Sequence, residues 1–204
     1  MLKNKIMGRT SNAKERILDS AQQLIHARSY SDVGVQEICD YANVKKGSFY
    51  YYFPSKQELT LAVIDHIWDQ FQVTLQQTLN SHLSPLERIR HLPLMAYQIN
   101  SLNINEEGKI TGCPFGNLAT EMSTQDEKIR LHLDNIFTKI VSQIEQTLKE
   151  GVQCEEIHPI DTHSTAQAIF AYLEGIILLA KTHNQPEMIK ALGGHITQLI
   201  SPIH

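Results

Sequence analysis

The 204-residue sequence is poor in cysteine, and its three cysteines, Cys39, Cys113 and Cys154, are odd in number, far apart and without a CxxC pair. That excludes a disulfide framework and favours a reducing, cytoplasmic setting. No run approaches the ~18 uninterrupted apolar residues that a membrane-spanning helix needs. Residues 1–6 are basic, but no apolar signal stretch follows them, so secretion is not expected. Alternating strand-like patterns of useful length, internal repeats and low-complexity tracts are all missing. A phosphate-cradling glycine loop is missing too, and no Ser-His-Asp or paired-carboxylate spacing stands out among ten scattered histidines. The segment 154–158 with His163 matches no established zinc spacing. The expectation is therefore a protein without metal or cofactor, and not an enzyme.

What is present is apolar content for a core (42%) and an uneven charge. The chain carries −4 overall, yet residues 1–56 hold nine Lys/Arg against five Asp/Glu, a net +4. Residues 57–204 hold nine against seventeen, a net −8. A basic contact module, 1–56, on an acidic body, 57–204, is the domain division this suggests.

Nearly everything else reads as helix. Ala13, Ile17, Ala21, Leu24 and Ile25 form one apolar stripe over 12–28, with Ser11 or Asn12 as cap. A short helix over about 35–42 turns Val35, Ile38, Cys39 and Ala42 inward, Asn43 makes a left-handed turn, and a third helix starts near Lys46. Pro54 breaks the chain, and Ser55 with Glu58 forms a capping box for a long helix over 56–80. Further helices are expected from Pro85 to about 103 and over 115–123, 126–150, 161–182 and 185–200. Gly151 should end the fourth-last region's successor, the 126–150 helix, Asn184 and Pro186 should separate the last two, and Gly193-Gly194 should weaken the final one.

The segment 44–56 is the most telling. Three lysines, a glycine, two serines and three consecutive tyrosines (Tyr50, Tyr51, Tyr52) are too polar for a core helix and suit a phosphate backbone. With the two helices before it, the segment resembles the DNA-binding domain of the TetR family of repressors. The supporting residues are Ile17-Leu18, Ala21, Leu24, Tyr30, Val35, Ile38, Ala42, Val44, Lys46-Gly47-Ser48, Tyr50, Tyr52-Phe53, Ser55-Lys56 and Leu59. The resemblance implies an all-α, TetR-like fold of about nine helices, with an N-terminal helix-turn-helix and a C-terminal effector and dimerisation region. It also implies a homodimer on a palindromic operator in double-stranded DNA, away from any membrane.

By the same resemblance, Lys46, Ser48, Tyr50, Tyr51 and Lys56 face DNA, and Gly47 lets the third helix approach closely. Lys46 suits a guanine edge or a phosphate, Ser48, Tyr50 and Lys56 suit phosphates, and Gln36 suits either a base or a phosphate. Two departures stand out: Gly34 where the family often has a hydroxyl cap, and Tyr51 where it often has histidine.

Residues 108–121 resemble a glycine-cysteine motif in the family branch that includes an N-ethylmaleimide and electrophile-responsive repressor; Leu179-Ala180-Lys181 is a second correspondence. Cys113 at a helix start, near Lys181, would have a lowered pKa and react with an electrophile or oxidant. The competing picture is a pocket for an unknown small-molecule effector, lined from Trp68, Tyr97, Phe115, Asn117, Phe137 and Tyr172, with Cys113 structural. The eighth helix is apolar on more than one face. Ile169, Phe170, Leu173 and Ile177, with Ile189, Leu192 and Ile196 from the last helix, are the expected dimer interface. The alternative class is a small helical enzyme or ligand carrier without sequence-specific DNA binding.

Overall fold

The computed structural model describes residues 11–200; the basic residues 1–6 lie outside that range, and the cap expected at Ser11 or Asn12 falls at its edge. Among the described residues the chain forms nine α-helices and a final 3-10 turn. They are α1 (Ser11–Ala27), α2 (Val35–Tyr41), α3 (Lys46–Tyr52), α4 (Lys56–Leu79), α5 (Pro85–Leu102), α6 (Pro114–Met122), α7 (Glu127–Gln153), α8 (Thr162–His183) and α9 (Glu187–Gly193), with the 3-10 helix at Gly194–Leu199. The one β feature described is an isolated antiparallel bridge, Ile104 to Ile110. None of the described helices is long and apolar enough to cross a membrane.

The chain divides into two compact units. The first is Met1–Trp68 with Leu118–His132, and the second is Asp69–Asn117 with Leu133–His204. The first unit thus runs past the boundary expected at 56 and takes in a later segment.

In the first unit α1, α2 and α3 pack on one another. Ile17, Ala21, Ile38, Cys39 and Phe49 are buried between them, as the helical stripe requires. Asn43 adopts φ 51° between α2 and α3, and the Val44 N–H closes the turn on the Cys39 carbonyl at 2.9 Å. Asparagine tolerates this left-handed geometry better than most residues. Ser55 caps α4, its hydroxyl accepting the Glu58 N–H at 3.1 Å. Gly34 stands at the N-cap of α2 with no side-chain bond.

In the second unit α5, α8, α9 and the 3-10 turn form the core. Ser84 caps α5, and Pro85 stands at its first turn. Asp161 caps α8, accepting from the His163 and Ser164 N–H groups, and Asn184 ends it at φ 52°.

One glycine does other work than expected. Gly151 lies inside α7 rather than ending it: a Cβ there would fall 2.5 Å from Ile157 Cδ1, so packing demands the glycine. The helix stops instead where Glu155 turns left-handed at φ 60°, with the Glu156 and Ile157 N–H groups on the Gly151 carbonyl. Gly193 likewise admits Pro93, whose Cβ would be 2.3 Å from an added methyl; beyond it the backbone tightens from α to 3-10.

Candidate nucleic-acid interface and a thiol cluster

The surface of α3 separates two kinds of residue. Phe49 and Phe53 point into the head and are buried, with ring centroids 6.1 Å apart. Lys46, Gly47, Tyr50 and Tyr51 are exposed, as is Lys45 at the N-cap, and Ser48 is half-buried. Tyr51 is 78% exposed and Tyr50 53%, a costly placement for aromatic area unless something else covers it. A Cβ at Gly47 would meet nothing within 4 Å. No packing inside the head therefore requires the glycine, which leaves room for close approach from outside.

Two residues expected on this face are engaged elsewhere. Lys56 donates to the Tyr30 carbonyl, and its ammonium lies 4.0 Å from the Tyr30 ring centroid. Burial lowers its pKa, against the opposing pull of Glu121 and Asp32. Its charge is engaged at the turn between α1 and α2. The Gln36 amide donates to Asp40 Oδ1 at 2.7 Å, though it remains exposed.

That same turn is held by Glu121, whose two carboxylate oxygens accept the Tyr30 and Ser31 N–H groups, each at 2.8 Å. Burial opposes the Glu121 charge, but the Ser31 and Tyr30 bonds and the Lys56 charge prevail and lower its pKa. No role for Glu121 is visible from sequence alone, because its partners lie ninety residues upstream.

In the second unit the chain around Cys113 forms a polar cluster. Cys113 immediately precedes α6, and its sulfur accepts the Gly116 N–H at 3.4 Å. Two glycines flank it, each with a steric reason. At Gly112, φ is +79° and a Cβ would lie 2.9 Å from Lys181 Cδ; at Gly116, a Cβ would lie 2.3 Å from Glu174 Oε2. The glycines thus admit the Lys181 stem on one side and the Glu174 carboxylate on the other. Both side chains come from α8, seven residues and hence about two turns apart on one face. Lys181 donates to Asn117 Oδ1 at 2.9 Å, and the Asn117 amide donates to the Thr111 carbonyl at 2.8 Å.

The electrostatics overturn one expectation. The Cys113 thiol is pushed well above its ordinary pKa by burial, then by the Glu174 carboxylate, which also accepts its hydrogen bond. The Gly116 and Phe115 N–H groups act the other way and lose. A helix terminus is worth at most a kcal/mol or so, less than a desolvated like charge in contact. Burial also raises the Glu174 carboxyl, a shift reduced by the hydrogen bond from Cys113. Burial lowers Lys181, a shift that only a deprotonated Cys113 sulfur would oppose. All three groups keep partial solvent access. At rest, Cys113 is a thiol and not a thiolate. Glu174 had a signal in the sequence: it is the single acid on α8.

The remaining effector candidates have contacts of their own. Lys190 covers the Tyr97 ring at 3.7 Å, and the Tyr172 hydroxyl donates to the Leu192 carbonyl at 2.6 Å. Phe115 stacks edge-on with Phe71 at 5.9 Å, and Phe137 pairs with Phe170 at 5.0 Å. Trp68 is buried in the first unit. Of the expected set, Cys113, Asn117 and Lys181 converge.

The expected dimer face needs correction as well. Ile169, Leu173, Ile177, Ile189 and Ile196 are buried within the single chain, because α5, α8 and α9 pack together; Phe170 and Leu192 are half-buried. The exposed apolar side of α8 is a different stripe, Ala168, Ala171, Gly175 and Leu178, with Leu179 beside it. Among the described residues no group of three His, Cys, Asp or Glu could hold a metal. Glu156, considered earlier with its neighbours, instead accepts the Ser84 hydroxyl and the Leu86 N–H.

Comparison with known proteins agrees with this geometry. Residues 17–63 match the model of bacterial regulatory proteins of the tetR family, and residues 85–195 match the tetracyclin repressor-like C-terminal domain. An HTH-type transcriptional regulator of Lactococcus lactis from the lacX 3' region is 34% identical, over 83% of this chain and 84% of its own. The HTH-type transcriptional repressor NemR of Escherichia coli is 26% identical, over 93% of this chain and 94% of its own. Among solved structures, a TetR regulatory protein from Rhodobacter sphaeroides superposes with a TM-score of 0.83 at 29% identity, covering 93% of this chain and 99% of that one. The chain is a transcriptional regulator of the TetR family.

Proposed function

We propose that the protein is a homodimeric repressor that binds a palindromic operator through α3 and is released when Cys113 is modified by an electrophile or oxidant. The observation that carries the reading is the built cluster around Cys113. The two glycines that flank the thiol admit a carboxylate and a lysine stem from α8, and the lysine ammonium bonds Asn117 in the same cluster. Such convergence is more than packing a small sulfur demands. The relation to a repressor, NemR, along nearly the whole chain supports repression as the mode of action.

On the DNA side, Lys46 and Ser48 take phosphate or base contacts, with Tyr50 and Tyr51 laid on the backbone and Gly47 permitting the approach. Lys45 joins them. Among the described residues Lys46 is in no ion pair, so its charge is available to a phosphate. The exposed α8 stripe, Ala168, Ala171, Gly175 and Leu178, is the proposed dimer contact. Its small residues allow two copies of α8 to approach closely, and the resulting two-fold axis sets half-sites one helical turn or a multiple apart.

The test is binding to DNA from the protein's own promoter region against a scrambled duplex of equal length. Preference for the promoter by a hundredfold or more is expected. Equal affinity for both duplexes contradicts the reading.

A further inference from the structure

We infer that Glu174 is the proton acceptor for Cys113: its carboxylate, seated over Gly116, takes the thiol proton as the sulfur attacks an electrophilic carbon. The inference rests on the reading of Cys113 as the effector-responsive thiol and adds how a buried, protonated sulfur reacts at all.

The geometry comes first. A Cβ at residue 116 would lie 2.3 Å from Glu174 Oε2 and 3.5 Å from Cys113 Cβ, so the carboxylate occupies the space beside the thiol that a side chain there would fill. Glycine at 116 is thus the condition for the carboxylate to reach the sulfur. A structural thiol needs no such partner, since a small buried sulfur packs as a hydrophobe. A carboxylate brought into low-dielectric surroundings is unfavourable unless something there uses it. Asn117 and not Glu174 accepts from Lys181 in the same cluster, which leaves the carboxylate without a cation's hydrogen bond there and able to take a proton.

The groups surrounding the carboxyl are few. The Cys113 thiol precedes α6, and Lys181 lies two turns along α8. From α5 and α9, packed on α8, Arg88 is paired with Glu150, while Lys190 lies over Tyr97. Burial raises the Glu174 carboxyl and the Cys113 thiol acts the other way.

The step balances without an added oxidant. With a conjugated carbonyl compound, a sulfur lone pair forms the new C–S bond at the β-carbon. The C=C π pair moves toward the carbonyl, giving an enolate. The S–H bond breaks with its electron pair left on sulfur, and the proton passes to a Glu174 oxygen. Glu174 then returns that proton to the α-carbon of the enolate, and the carboxylate is restored. A resting thiolate is never required, so the protein keeps Cys113 inert until a molecule able to complete the proton circuit arrives.

The experiment measures alkylation of the full-length protein by N-ethylmaleimide, following each cysteine by peptide mass from pH 6.5 to 8.5. The exposed Cys154 is the internal reference; reaction of a thiol through its thiolate in general gains about tenfold per pH unit below the thiol's pKa. The Cys113 rate in the wild type is expected to be nearly flat from pH 7 to 8.5. In Glu174→Gln it should fall roughly 100-fold at pH 7, the usual worth of a positioned base, and recover the tenfold-per-unit slope. Gly116→Ala is the second variant: its methyl displaces the flexible carboxylate without removing the charge, and the same change of slope is expected. Circular dichroism confirms that each variant is folded.

A wild-type Cys113 rate that climbs in parallel with Cys154 overturns the inference. So does faster alkylation in Glu174→Gln, which would make the carboxylate only a suppressor of the thiol. If the flat profile and its loss in both variants are seen while alkylation leaves DNA affinity intact, Glu174 keeps its role and the release reading falls instead.

Discussion

Glu121 accepts the Ser31 N–H at 2.8 Å across ninety residues of sequence. With the matching bond to Tyr30, one carboxylate from the end of α6 fastens the turn that carries α1 into α2. Glu121→Ala leaves two N–H groups without that acceptor. Because the site is partly solvated, the loss should lie near 1–2 kcal/mol, seen as about 3–5 °C in the melting temperature.

The same carboxylate has a pH signature. Its pKa is depressed in the folded chain, so its contribution is complete above the ordinary carboxylate pKa and disappears as pH falls through the folded value. The gap in melting temperature between wild type and Glu121→Ala should therefore be constant from pH 6 to 8 and close below about pH 4.5. Melting curves across that range check it.

Lys46 and Lys56 should behave oppositely, although both are lysines of the basic head. Lys46→Ala should weaken binding to all DNA sequences and reduce the salt slope by about 1 if it neutralises a phosphate. Lys56→Ala should leave the slope unchanged and lower thermal stability, because its ammonium is held by the Tyr30 carbonyl and ring. Affinity measured at four or five salt concentrations separates the two.

Lys181 offers a third check. Burial lowers its pKa, so the unfolded chain binds its proton more readily than the folded one. That penalty is present at neutral pH and relieved as pH rises through the folded pKa toward the ordinary lysine value. Lys181→Met should thus raise the melting temperature at pH 7, with a gain that shrinks toward pH 10. It should also free Asn117, so alkylation of Cys113 is worth following in the same variant.

The helices were legible because local rules governed them. Asn43, Ser55 and Asn184 act as the turn, the cap and the stop that their chemistry implies. Gly151 misled because a packing glycine and a terminating glycine look alike in sequence; only Ile157 reveals the difference. The apolar breadth of α8 suggested burial on more than one face, whereas within the single chain one face is buried and Ala168, Ala171, Gly175 and Leu178 are exposed. Which residues face the chain's own core is decided by α5 and α9, so Ile169, Leu173, Ile177, Ile189 and Ile196 are core, Phe170 and Leu192 are half-buried, and the exposed stripe lies beside them.

At the functional sites the pattern is similar. The residues of α3 are contiguous, and their alternation of buried phenylalanine with exposed tyrosine can be read directly. The thiol cluster joins residues from 112 to 181. Cys113 and Lys181 stood out as chemistry, whereas Glu174 counts only once its approach over Gly116 is known. A helix start and a lysine predicted a lowered thiol pKa, and the nearby carboxylate reverses it.

The most direct test is the affinity of the full-length protein for its own promoter DNA before and after N-ethylmaleimide, in wild type and Cys113→Ser. Expected are a loss of at least tenfold in treated wild type and unchanged binding in treated Cys113→Ser. Equal loss in both proteins, or no loss in either, would contradict control of DNA binding through Cys113.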